Sequence, residues 1–141
     1  MIAIDSNVMI AAHRKEHSAH NACYIRLREL AEGDGPWGLP VFCIGEFLRV
    51  VTHPKVFAPP SSLEIACSFV DRLLLSPSSR LLLPDVGFWD SMRTIATNAD
   101  ASGNLVFDAQ IAAVCRDGGV RQLITLDRDF ARFPTIEAVL P

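Results

Sequence analysis

Long apolar runs are missing from this chain of 141 residues, although half of its residues are apolar. The apolar stretches are short and interrupted, far below the ~20 consecutive residues of a membrane-spanning helix. The N-terminus has neither the basic region nor the long apolar stretch of a signal peptide, so a cytoplasmic protein with no membrane contact is expected. Paired cysteines are missing too: Cys23, Cys43, Cys67 and Cys115 lie far apart, with no C-x-x-C among them. Such cysteines read as small buried hydrophobes in a reducing compartment, not as disulfides or a thiolate zinc site. Lysine is scarce, with Lys15 and Lys55 set against 11 arginines. The net charge of −3 argues against a broad electrostatic grip on nucleic acid. A local arginine rim around an acidic site stays open, because arginine pairs with phosphate in bidentate fashion, though ordinary surface charge explains the composition as well. Repeats, low-complexity tracts and linkers are absent, and a single domain over residues 1–141 is expected.

What is present is an alternation of short apolar strands with amphipathic helices. Met1–Ile4, Trp37–Leu39, Arg80–Leu83 and Leu123–Thr125 read as strands, and Ile136–Leu140 as a last edge strand. Helical patterns fill the intervals: Val8–Ala31 with a break near His13–His17, Val41–Val51, Ser61–Leu75, a segment after Asp85, and Leu105–Arg116. The segment after Asp85 is expected to turn Phe88, Trp89, Met92, Ile95 and Ala96 inward. Ser6 or Asn7, the capping box Ser61–Glu64, Asp85 and Asn104 are the expected N-caps, and Gly118-Gly119 the stop of the last helix. The alternation predicts an α/β fold, a three-layer α/β/α domain with a short, mostly parallel central sheet.

Asp5 stands at the carboxyl end of the first strand, the edge where open α/β sheets bind ligands, and packing alone explains it poorly. Asp127 and Asp129 follow another buried strand, while Glu46 and Asp108 lie on helices, Asp108 in a first turn. Taken singly, Asp108 is explained by the helix dipole, Asp127 and Asp129 by turn chemistry, and Glu46 by a solvated helix face. Together, several carboxylates at one sheet edge repel one another unless a cation neutralises them. Oxygen ligands without His or Cys favour a hard ion, Mg²⁺ or Mn²⁺, the ions with which enzymes activate water for attack on phosphorus. A competing metal signal is His13, His17 and His20, which on one continuous helix share a face that suits zinc.

Ile4-Asp5-Ser6-Asn7-Val8, Glu46 in the helix after the second strand, Asn104 to Ala113 around Asp108, and Thr125 to Phe130 resemble the four acidic motifs of PIN-domain ribonucleases, more narrowly of VapC-type toxins of bacterial type II toxin–antitoxin systems. The resemblance covers nearly the whole chain in the right order. It implies that Asp5 and Asp108 are the principal metal ligands, Glu46 a ligand or supporting carboxylate and Asp127 the fourth acid, with either Asp127 or Asp129 facing the metal. Ser6 and Asn104 are implied to orient carboxylates or waters. Leu126 departs from the family pattern, where a polar residue is frequent. The implied reaction is in-line attack of water on an RNA phosphodiester, leaving a 5′-phosphate and a 3′-hydroxyl, with Arg49, Arg128 and Arg132 as candidate phosphate contacts. The implied partners are RNA, a small VapB-like antitoxin that places a basic side chain in the acidic groove, and a second copy of the chain. A catalytically inactive PIN-fold binding module and a phosphoacceptor signalling domain are the alternatives. The latter lacks its mid-chain Asp and its later Lys. Relief of repulsion predicts that Asp5→Asn leaves the metal-free fold as stable as wild type or more so.

Overall fold

The computed structural model describes residues 1–141. Five strands form one sheet: β1 (Ile2–Ile4), β2 (Trp37–Pro40), β3 (Ser79–Leu82), β4 (Gln122–Ile124) and β5 (Glu137–Val139), in spatial order β3-β2-β1-β4-β5. Every neighbouring pair is parallel, so the expected mostly parallel sheet is wholly so. The apolar triplet of β1 takes the centre because both of its faces are covered; Ala3 and Ile4 are fully buried. Register sets Ile4 beside Ile124, which brings the residues after them, Asp5 and Thr125, to the same carboxyl edge.

Six helices cover the sheet: α1 (Ser6–His13), α2 (His20–Glu32), α3 (Val41–Val51), α4 (Leu63–Leu74), α5 (Phe88–Asn98) and α6 (Leu105–Asp117). Trp37, Phe47, Met9, Leu39, Leu123 and Ile124 are among the side chains sealed between the layers. No helix is long and apolar enough to cross a membrane. Gly38 in β2 lets the sheet close: a Cβ there would meet Leu82 Cδ1 at 2.8 Å. The stop after α6 is a Schellman turn, with Val120 N–H donating to Cys115 O at 2.9 Å while Gly119 takes φ +74°.

The helix starts differ from expectation in ways that matter for the site. Asp5 itself caps α1, its side chain accepting from Ser6 N–H, so the helix begins at the end of β1 without a linker. Ser62, one residue later than expected, caps α4 by accepting from Ile65 N–H, which removes Glu64 from the reciprocal position of a capping box. Asp85 accepts from Gly87 N–H in a turn before α5, and Gly87 occupies the cap. Trp89, expected inward, is 63% exposed. Asn104 holds the cap position of α6 but makes no side-chain cap bond. The chain before it is already wound into turns, so the N–H groups of Leu105, Val106 and Phe107 find the carbonyls of Ser102, Gly103 and Asn104. The segment after β4, expected as a loop, makes one 3-10 turn over Arg128–Arg132, capped by Asp127.

Candidate active site

Asp5 is anchored more firmly than any other acid in the chain. Its Oδ1 accepts from Ser6 N–H at 2.7 Å, from the Ser6 hydroxyl at 3.4 Å and from the Cys43 thiol at 3.8 Å. Its Oδ2 accepts from Asn7 Nδ2 and from the Thr125 hydroxyl, both at 2.7 Å. The residue is 3% exposed, and burial pushes its carboxyl up to about 6, the charge of Glu46 adding to this while the bonds from Thr125 and Ser6 pull it back. A buried carboxylate whose oxygens all face donors cannot turn, so its direction is set by β1, α1 and β4 together.

The other acids hang on this anchor. Ser6 Oγ donates to Glu46 Oε2 at 2.9 Å, tying α3 to the start of α1. Arg49 Nη2 lies 3.9 Å from Glu46 Oε1, on the exposed side of the same helix. Thr125 Oγ1 also accepts from Asn7 Nδ2 and from Asp127 N–H, each at 3.0 Å, and Asn7 Oδ1 accepts from Leu126 N–H at 3.1 Å. Asn7 therefore clamps the loop after β4 by its backbone, which explains why the apolar Leu126 is tolerated there. Asp127 Oδ1 accepts from Asp129 N–H at 2.8 Å; Asp127 is half-buried and Asp129 exposed.

Asp108, in the first turn of α6, is half-buried and pushed up to about 6. Burial is the largest cause, followed by the charges of Asp127, Asp5, Glu46 and Asp129; no hydrogen bond offsets them. The structure thus brings all five predicted acids into mutual electrostatic reach. It leaves Asn104 exposed and outside the network.

This donor set fits a hard divalent cation by chemistry: carboxylate oxygens of like charge, with Asp108 lacking any counter-charge of its own. No three of the His, Cys, Asp and Glu side chains stand close enough to enclose an ion by themselves. That is compatible with Mg²⁺ or Mn²⁺, which keep several waters and need only one or two carboxylates, and it argues against a closed zinc cage. The histidine alternative is overturned by the break in the helix. His13 ends α1 with Nε2 against Ser61 Oγ at 2.8 Å, His17 Nδ1 accepts from Ala19 N–H, and His20 Nδ1 meets Ala11 O at 2.9 Å.

Thr125, Asn7 and Cys43 are the contributors that sequence reasoning missed in these roles. Thr125 was legible only through the register of β1 against β4, which no local pattern supplies. Of the three candidate arginines, Arg49 borders the acids, Arg128 is exposed beside Asp127, and Arg132 is held away by Ala99 O at 2.6 Å.

Residues 2–136 match the model of the PIN domain family. The chain is 38% identical over 133 residues to ribonuclease VapC43 of Mycobacterium tuberculosis, covering 94% of this chain and 90% of that protein. Among solved structures it resembles M. tuberculosis VapC20, a sarcin-ricin loop cleaving toxin, with a TM-score of 0.73, 18% identity and full coverage of both chains. It also resembles VapBC2 of Rickettsia felis bound to a promoter DNA fragment, with a TM-score of 0.71 and 18% identity over 99% of this chain and 98% of that one.

Proposed function

This chain belongs to the PIN domain family, and from that premise we propose that it is the ribonuclease toxin of a toxin–antitoxin pair, cutting RNA phosphodiesters with the help of Mg²⁺ or Mn²⁺ held by the acidic cluster. The observation that carries the reading is the gathering of acids at one sheet edge: Asp5 and Glu46 are joined through Ser6, Asp127 is held through Thr125, and Asp108 is pushed up by burial and by the charges of these acids and Asp129. Such a cluster only destabilises a fold unless something positive occupies it.

Asp5 and Asp108 are the carboxylates that would hold the ion, with Glu46 and Asp127 completing the site through water and Asp129 at its rim. When bound, the ion supplies Lewis-acid polarisation of the phosphate and a lowered pKa for the attacking water. The chain's own residues do the positioning. Ser6, Asn7 and Thr125 fix both oxygens of Asp5, so the carboxylate keeps one direction while substrate enters. Ser6 spans Asp5 and Glu46 and keeps α3 in register with the sheet edge. Arg49, 3.9 Å from Glu46 and otherwise free, is placed to meet a phosphate of the entering strand. Asn104, outside the network, is assigned no part in orienting waters.

The reading includes a VapB-like antitoxin that places a basic side chain among the acids, a dimer of the chain, one domain over residues 1–141, and action in the cytoplasm, where four unpaired cysteines persist. Incubation of purified protein with total RNA tests it. Cleavage with Mg²⁺ or Mn²⁺ that stops in EDTA and in Asp108→Asn supports the reading. Intact RNA under every condition, from protein freed of antitoxin, would move the chain to a binding-only PIN domain.

A further inference from the structure

A cavity of about 340 Å³ opens between α3 and α6 directly beside the acids, within the size range of small-ligand sites. Its walls include Phe42, Glu46 and Arg49 from α3 and Phe107, Gln110 and Ile111 from α6. Three features set it apart. Glu46 belongs at once to this cavity and to the network around Asp5. Phe107, the residue before Asp108, is 63% exposed, an aromatic ring offered to solvent in the lining of the cavity. Gly45 sits within α3 at the cavity wall, although a Cβ there would meet nothing within 4 Å. A glycine inside a helix costs about 1 kcal/mol against alanine, and no packing contact demands this one. What its missing side chain leaves is open space over the cavity.

We propose that this cavity receives one unpaired nucleobase of the RNA, next to the phosphate that is cut, stacked on Phe107 with its edge toward Gln110 and the adjoining phosphate toward Arg49. The proposal rests on the nuclease reading. Stacking on an exposed aromatic ring is how proteins hold single-stranded bases, and an amide beside the ring can read the edge of the base. Phe42 is already engaged, its ring centroid 5.5 Å from that of Phe88, and serves as the back wall, whereas Phe107 has no aromatic partner. The other cavity bordering the acids, beside Asp127 and Arg128, has no aromatic ring in its lining. A protein segment such as the antitoxin's basic arm would also reach Glu46, and the variants that follow separate it from a base.

Mapping the fragment ends from total RNA cut in Mg²⁺ or Mn²⁺ tests the proposal. Wild type is expected to show a base bias at one position flanking the cut. Phe107→Leu, which keeps an apolar side chain, and Gly45→Leu, which favours the helix but fills the cavity, are expected to flatten that bias and lower kcat/KM on the order of tenfold. Phe107→Trp is expected to keep both. An unchanged bias in Phe107→Leu and Gly45→Leu would overturn the proposal, as would variants that cut normally but lose the dimer or the antitoxin. If wild type cuts nothing, the nuclease reading fails, and a single-stranded RNA carrying 2-aminopurine still decides the subsite. Its fluorescence is quenched on wild type and Phe107→Trp but not on Phe107→Leu if the cavity stacks a base, and is equal on all three if it does not.

Discussion

Asp5 and Asp108 are each pushed up to about 6, yet they are opposites. Asp5 is almost wholly buried and bonded on both oxygens by the turn from β1 into α1 and by β4. Its raised pKa is the residue of a large desolvation partly repaid by donors. Asp108 sits half-buried at the mouth of α6, and every contribution to its pKa pushes the same way. One acid belongs to the architecture and the other is held against its neighbours, so the same substitution should have opposite structural effects at the two positions. The hydrogen bonds work against the expectation that Asp5→Asn leaves the metal-free fold as stable as wild type or more so: loss of the buried charge relieves the cause of its raised pKa, but an amide NH₂ must face either Ser6 N–H or the donors of Asn7 and Thr125, leaving buried donors opposed.

The largest expected effect erases the difference between the two acids. Asp5→Asn and Asp108→Asn should each lower RNA cleavage in Mg²⁺ on the order of 10³-fold, several kcal/mol of transition-state stabilisation lost with the ion. Equal cutting by either variant would remove that residue from the site. Thr125→Val comes next and probes the anchored side alone. It takes a donor from Asp5 and an acceptor from Asn7 and Asp127, so unfolding free energy should fall by about 1–3 kcal/mol and cleavage by roughly 10- to 100-fold. Thr125→Ser, which keeps the hydroxyl, should restore most of both; if it does not, packing of the methyl rather than the hydrogen bonds supports the site.

A smaller effect separates the exposed side. A carboxyl whose folded pKa lies near 6, above its ordinary value of 3.8, contributes stability that is complete below about 3.8 and is lost as pH rises through about 6. Asp108→Asn mimics the protonated form. Without metal it should therefore be more stable than wild type at pH 7.5, by on the order of 1 kcal/mol once solvent screening of this half-exposed carboxyl is allowed for, the gain shrinking toward zero near pH 4. A gain that does not depend on pH would assign it to something other than the carboxylate charge. The smallest effect belongs to Asn104→Ala, at an exposed position without side-chain bonds: stability within about 0.5 kcal/mol of wild type and unaltered cleavage. A marked loss of cutting would return Asn104 to the site.

The two acids also mark how far the sequence could be read. Asp5 was legible because the apolar triplet before it fits only a central parallel strand, whose carboxyl end is a ligand edge. Asp108, Glu46 and Asp127 were legible as a set, since each has an ordinary explanation alone. The donors around Asp5 were not, because they come together through strand register and through a cap placed at Asp5 itself rather than at Ser6 or Asn7. Asn104 misled for a related reason: it is a good capping residue, but the backbone turns ahead of α6 already satisfy the N–H groups it would serve. Local chemistry names the residues able to do a job; long-range register decides which of them are placed to do it.

Thermal unfolding of wild type, Asp5→Asn and Asp108→Asn at pH 7.5, each in EDTA and in Mn²⁺, tests most directly whether the acids are gathered for a cation. The account predicts that in EDTA Asp108→Asn melts above wild type and Asp5→Asn below it, and that Mn²⁺ raises the Tm of wild type while leaving Asp108→Asn nearly unmoved. A wild-type Tm indifferent to Mn²⁺, with Asp108→Asn no more stable in EDTA, would contradict it.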